Sequence, residues 1–131
     1  MHIITCFQIF IFIVCIYLIC MVPYYYKISF LRSSAEFTKN PGSISGNPFN
    51  IVKCTNCVIQ LLDHCDQVQI DDTSDSKIFV GASSESIFVR DCTNCTLTVA
   101  CKQLRTRDCI NCSFYLYCKT EPIIETSTGM Q

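Results

Sequence analysis

With 131 residues, and its apolar N-terminal segment set aside, the chain has room for one small domain, which excludes a large core. Ten basic and 11 acidic residues leave a net charge of −1, which excludes the strongly basic surface of sequence-independent nucleic-acid binding. Twelve cysteines approach the density of a secreted disulfide scaffold, so the compartment decides what they mean.

Residues 3 to 22, I-I-T-C-F-Q-I-F-I-F-I-V-C-I-Y-L-I-C-M-V, carry no charge and only Thr5 and Gln8 as clearly polar members. As a helix they span a bilayer of about 30 Å. Tyr24, Tyr25 and Tyr26 follow like an interfacial belt, and Lys27, Arg32 and Lys39 lie beyond them, with only His2 before. This asymmetry predicts a membrane anchor over 1–26 with the domain facing the cytoplasm, where thiols stay reduced. A cleaved signal peptide ending near Ser33-Ser34-Ala35 is the alternative, although the basic n-region is missing and the apolar core is long. In a lumenal domain Asn94-Cys95-Thr96 and Asn111-Cys112-Ser113 would be glycosylation sequons; otherwise their asparagines are turn residues.

Residues 27–48 include S-S-A-E-F-T-K-N-P-G-S-I-S-G-N-P, rich in Ser, Gly, Asn and Pro, and read as a linker. A domain over 49–131 follows, and it repeats itself. I-V-K-C-T-N-C, F-V-R-D-C-T-N-C and R-T-R-D-C-I-N-C end three units, and Q-I-D-D-T-S-D-S fits the same frame with Thr73 and Ser76 in the cysteine positions. Cys54, Thr73, Cys92 and Cys109 are 19, 19 and 17 residues apart. Stacking the units gives apolar columns: Phe49, Val68, Ile87, Leu104; Ile51, Ile70, Val89, Thr106; Ile59, Ile78, Leu97, Phe114; and Leu61, Val80, Val99, Leu116. Columns two apart share a strand face, so these point inward. The pattern predicts an all-β fold, a β-helix of rungs of about 18 residues preceded by a hydrophobic helix. A last rung, P-I-I-E-T-S at 122–127, would end the chain with an unpaired edge, which predicts truncation at the C-terminus.

Three C-x-x-C pairs, 54/57, 92/95 and 109/112, have zinc spacing, but the Thr73/Ser76 rung places small side chains where a metal would need thiolates. The frame favours buried filler over zinc or disulfides. His64 and Cys65 are strand neighbours facing opposite ways and offer no activated nucleophile. Asp71, Asp72 and Asp75 lack the spacing of a calcium loop, and no glycine-rich loop cradles a phosphate, so no metal or cofactor is expected in the chain itself.

In C-K-Q-L-R-T-R-D-C-I-N-C, Leu104 and Thr106 belong to inward columns, so Gln103, Arg105 and Arg107 project together, with Glu125 in or beside the Arg107 column one rung on. Read plainly, this is a solvated face with an Arg/Glu ladder.

From about Phe49 to Met130, S-I-F-V-R-D-C-T-N-C-T-L-T-V-A-C-K-Q-L-R-T-R-D-C and E-P-I-I-E-T-S resemble the C-CAP/cofactor C-like domain shared by tubulin-folding cofactor C and the X-linked retinitis pigmentosa protein. The R-D-C continuation and the Cys-rich rungs are closer to the latter. The resemblance implies a right-handed β-helix and a GTPase-activating protein for an Arf-like small GTPase, or for tubulin with its folding cofactors. It implies a catalytic arginine finger at Arg105 and a partner-binding surface of Gln103, Glu125, Arg107 and Lys102, with GTP and magnesium held by the partner. A ciliary or plasma membrane would be the site of action. A module that binds such a GTPase without stimulating it is the alternative reading. The family's Gln-Gln before the finger is Lys102-Gln103 here, and a myristoylation start is absent because His2 follows Met1.

Overall fold

The computed structural model describes residues 35–131 and the backbone of 26–29. Eleven short strands succeed one another: β1 (Tyr26–Ser29), β2 (Glu36–Lys39), β3 (Phe49–Val52), β4 (Val58–Cys65), β5 (Val68–Asp71), β6 (Lys77–Ser83), β7 (Ser86–Arg90), β8 (Thr96–Cys101), β9 (Gln103–Arg107), β10 (Ser113–Cys118) and β11 (Ile123–Glu125). Odd strands stack in the order β1-β3-β5-β7-β9-β11, and even strands form a second sheet, β10-β8-β6-β4-β2. All pairs are parallel. A third, one-residue-wide ladder runs through Thr55, Ser74, Thr93, Ile110 and Thr128. The result is a three-sided β-solenoid.

The apolar columns pair in the expected register: Phe49 with Val68, Val68 with Ile87, Ile87 with Leu104. In the other sheet Ile59 pairs with Ile78, Ile78 with Leu97 and Leu97 with Phe114. Phe49, Ile51, Ile59, Leu61, Val68, Ile70, Ile87, Val89 and Leu97 are wholly buried. Each rung thus hides its inward residues only against the rungs above and below, as a stacked repeat must.

The repeated cysteine phrase builds the corners. Lys53, Asp72, Asp91 and Asp108 begin each bend, and Asn56, Asp75, Asn94 and Asn111 end it, all with φ between 50° and 54°. Asn and Asp tolerate this left-handed region better than other non-glycine residues. Gly129 takes the last such corner, where a Cβ would run into the Asn111 side chain. Between the corners the cysteine positions turn inward. Cys92 Sγ donates to Arg90 O (3.3 Å) and Cys109 Sγ to Arg107 O (3.4 Å), as Thr73 Oγ1 donates to Asp71 O (3.1 Å). Cys57 Sγ and Ser76 Oγ likewise reach the carbonyls of Thr55 and Ser74, at 3.1 and 2.7 Å. Cysteine, threonine and serine interchange here because the site asks for a small buried donor to the carbonyl two residues back. Hydrogen bonding with Cys109 and Cys95, reinforced by burial, raises the Cys92 pKa and keeps that thiol protonated.

Two expectations for the N-terminal part change. Residues 27–48, read as a linker, contain β2 and most of β1, and their Ile44 is wholly buried. Asp63 holds that loop by accepting from Ser45 N (2.7 Å) and Ile44 N (2.8 Å). The membrane-anchored placement does not hold either. Among the described residues no helix is long and apolar enough to cross a membrane. Tyr26, read as part of an interfacial belt, instead opens a strand in register with Phe49, and Lys27 pairs with Asn50. The hydrophobic helix expected over 3–22 lies outside the described residues.

Candidate functional site

The arginine face is the outer side of β7, β9 and β11. Leu104 and Thr106 are buried inward, and β9 is hydrogen-bonded to a strand on each side, so its outward residues stand on a fixed backbone. Gln103 lies beside Ser86; Arg105 sits between Phe88 and Ile123; Arg107 sits between Arg90 and Glu125. The sequence-predicted Gln103, Arg105, Arg107 and Glu125 therefore share one face. Lys102 does not join them. It lies at the β8–β9 corner with Nζ 3.2 Å from Glu85 Oε2, away from the groove the arginines line.

The three arginines are held differently. Arg90 is locked to Asp71 by two hydrogen bonds, Nε to Oδ1 at 2.8 Å and Nη2 to Oδ2 at 2.9 Å. This bidentate grip raises the Arg90 pKa further. Arg107 Nε lies 3.4 Å from Asp108 Oδ2. Arg105 Nη2 comes no closer than 3.9 Å to Glu125 Oε1, beyond hydrogen-bonding distance, and its side chain is 44% exposed. Phe88, Arg90, Arg105, Arg107 and Glu125 line a shallow groove of about 180 Å³, floored by Thr106.

The sequence columns give no role to two parts of this face. Phe88 and Ile123 flank Arg105 with apolar surface, and Asp71 immobilises Arg90. Both depend on pairing residues 17 to 19 positions apart, and the only sequence signal is the column frame itself. His64 does not serve the face; its ring is 66% exposed and contacts Asp63, while the neighbouring Cys65 is buried.

The profile of the family described as tubulin binding cofactor C matches residues 46–131. The chain belongs to the tubulin binding cofactor C family. It is similar to tubulin-specific chaperone C of Homo sapiens, 28% identical over 81 residues that cover 62% of this chain and 23% of that protein. It is also similar to protein XRP2 of Danio rerio, 46% identical over 91 residues, covering 70% of this chain and 24% of the relative. For protein XRP2 of Gallus gallus the figures are 47% over 91 residues, 70% and 26%. The chain thus spans about a quarter of the length of these curated relatives. Higher identity to XRP2, the retinitis pigmentosa protein, agrees with the R-D-C continuation and the cysteine-rich rungs. Membership assigns the matched region, with its arginine face, to the cofactor C domain.

Proposed function

We propose that this cofactor C domain stimulates GTP hydrolysis by a partner, an Arf-like small GTPase in its GTP state or tubulin, and that Arg105 is the finger supplied in trans. One observation carries the reading. Of the three arginines on the face, Arg90 is held by two hydrogen bonds to Asp71 and Arg107 lies 3.4 Å from Asp108, whereas Arg105 has only the long, half-exposed ion pair with Glu125 at 3.9 Å. It is the guanidinium that can be handed to a partner at little cost.

The chemistry matches what such a partner lacks. A GTPase brings nucleotide, magnesium and the attacking water, and needs positive charge on the oxygens of the transferring phosphoryl group. Arginine is permanently charged and presents a planar fork of donors to those oxygens. Standing on an interior strand of a stacked sheet, it approaches with little backbone reorganisation. Gln103, Arg107 and Glu125, on the same face, would contact the partner around the finger, and Lys102 would meet it only at the rim. The chaperone relatives are tubulin-specific by name, which supports testing tubulin beside a small GTPase.

The test is GTP turnover by an Arf-like GTPase and by αβ-tubulin with wild-type protein and with Arg105→Ala. Stimulation that falls by about 10³-fold or more in the variant supports the finger. Stimulation that survives the substitution sinks it. Binding of a GTP-loaded partner without stimulation by the wild type would instead favour the scaffold reading.

A further inference from the structure

Nine cysteines lie among the described residues, and eight of them are buried. Cys118 is the exception, and it stands beside a second thiol. Cys101 closes β8 and Cys118 closes β10, the two are in direct register, and their sulfurs are 3.9 Å apart. Residues facing each other on adjacent strands are about 4.8 Å apart. That lies within the Cα separation a disulfide accepts, about 4.4 to 6.8 Å, so bond formation needs side-chain rotation rather than movement of the rungs.

We propose that Cys118 and Cys101 form an oxidisable thiol pair that a low-molecular-weight disulfide converts to a reversible cross-link. The bond would close a covalent loop from Cys101 to Cys118 that contains β9, and with it Gln103, Arg105 and Arg107. Cys118 is the partly exposed member of the pair, and a groove opens beside Cys101. This groove of about 610 Å³ is lined by Ser83, Ser84, Cys101, Lys102, Tyr117 and Lys119. The groove is lined by Cys101 and not by Cys118, whose sequence neighbours Tyr117 and Lys119 border it, and Lys102 and Lys119 supply ammonium groups. Their charge suits an oxidant carrying carboxylates, such as glutathione disulfide.

The two thiols have different parts in the exchange. Cys118 is half-buried and meets the oxidant first. Cys101 is 5% exposed, and burial followed by the nearby Cys118 pushes its pKa up to about 12, so it waits as the resolving thiol. The Cys118 thiolate attacks one sulfur of the disulfide and expels one glutathione thiolate, leaving a mixed disulfide. Cys101 then loses its proton and attacks Cys118 Sγ, expelling the second glutathione thiolate. Two protein thiols and one glutathione disulfide become one protein disulfide and two glutathione molecules. The remaining seven described cysteines are at most 2% exposed and are shielded from this chemistry.

The full chain would be equilibrated with oxidised glutathione, acid-quenched, alkylated and mapped by mass spectrometry. In the wild type we expect a peptide pair joining Cys101 to Cys118, lighter by two hydrogens and released by dithiothreitol. Cys101→Ser is expected to stop at a lasting glutathione adduct on Cys118, and Cys118→Ser to give neither product. The wild-type result is decisive whatever the variants do. A folded wild type in which Cys118 carries glutathione without linking to Cys101, links to another cysteine, or reacts no faster than the buried thiols overturns the proposal.

Discussion

Glu125 is in register with Arg107, yet the guanidinium it approaches at 3.9 Å is that of Arg105, one column across. The contact is diagonal, long and about half exposed on both sides, so it contributes no more than about 1 kcal/mol to the fold. Glu125→Gln is therefore expected to move the unfolding free energy by less than about 0.5 kcal/mol, as measured by urea denaturation. A much larger loss would mean that Glu125 holds the last rung rather than merely facing outward.

Arg105→Lys separates charge from shape. Lysine keeps the positive charge but presents a point rather than a planar fork. Most of the roughly 10³-fold or greater stimulation expected of a finger should disappear in single-turnover GTP hydrolysis. Retention of full stimulation would show that charge alone suffices and that the fork is not used.

Thr106 offers a way to stabilise the rung without touching its outer face. It is 1% exposed, and its Oγ1 is the one buried side-chain oxygen or nitrogen without a hydrogen-bond partner among the described residues. Valine has nearly the same shape and no hydroxyl. Thr106→Val is expected to raise stability by about 1 kcal/mol, visible as a higher urea midpoint at unchanged m-value. A destabilised variant would indicate that the hydroxyl has a partner after all.

The corner asparagines can be tested in pairs. Asn94 has φ 53° and donates through Nδ2 to Asp75 Oδ1 at 3.2 Å. Asn94→Ala places an ordinary side chain in the left-handed region and removes that bond, with an expected cost of about 1–2 kcal/mol. Asn94→Gly keeps the backbone unstrained and should cost less. Equal losses would assign the effect to the hydrogen bond instead of the corner.

Asp63 sets an acid dependence. Hydrogen bonds from Ser45 N, joined by those from Gly42 and Ile44, hold its carboxyl far below the usual range. A depressed native pKa stabilises the fold above the unfolded value of about 3.9, and this contribution fades as pH falls toward the native value. Stability should therefore drop on acidification below about pH 4, and Asp63→Asn should both lower the neutral-pH urea midpoint and flatten that acid dependence. An unchanged acid limb in the variant would assign the pH effect to other carboxylates.

Much of the solenoid was legible because two periods coincide. Strand side chains alternate every second residue, and the rungs recur every 17 to 19, so Phe49, Val68, Ile87 and Leu104 fall into one column by counting alone. The same counting put Gln103, Arg105 and Arg107 on one face. The same frame favoured buried filler over zinc at the C-x-x-C pairs, because one rung carries Thr73 and Ser76 in the cysteine positions. Left-handed corners at Asp91 and Asn94 resolve them by turning Cys92 and Cys95 onto backbone carbonyls. Composition also misjudged residues 27–48, since Ile44 is buried through hydrogen bonds to Asp63, a residue 19 positions away.

From the order of its residues alone, then, the chain determines the repeat, the inward columns and the outward arginines, because each follows from local alternation. Only the tertiary structure decides how closely each arginine is held. Asp71 lies 2.8 Å from Arg90, Asp108 lies 3.4 Å from Arg107, and Glu125 lies 3.9 Å from Arg105. Those distances depend on how neighbouring rungs stack and on side-chain rotamers, neither of which a period in the sequence encodes.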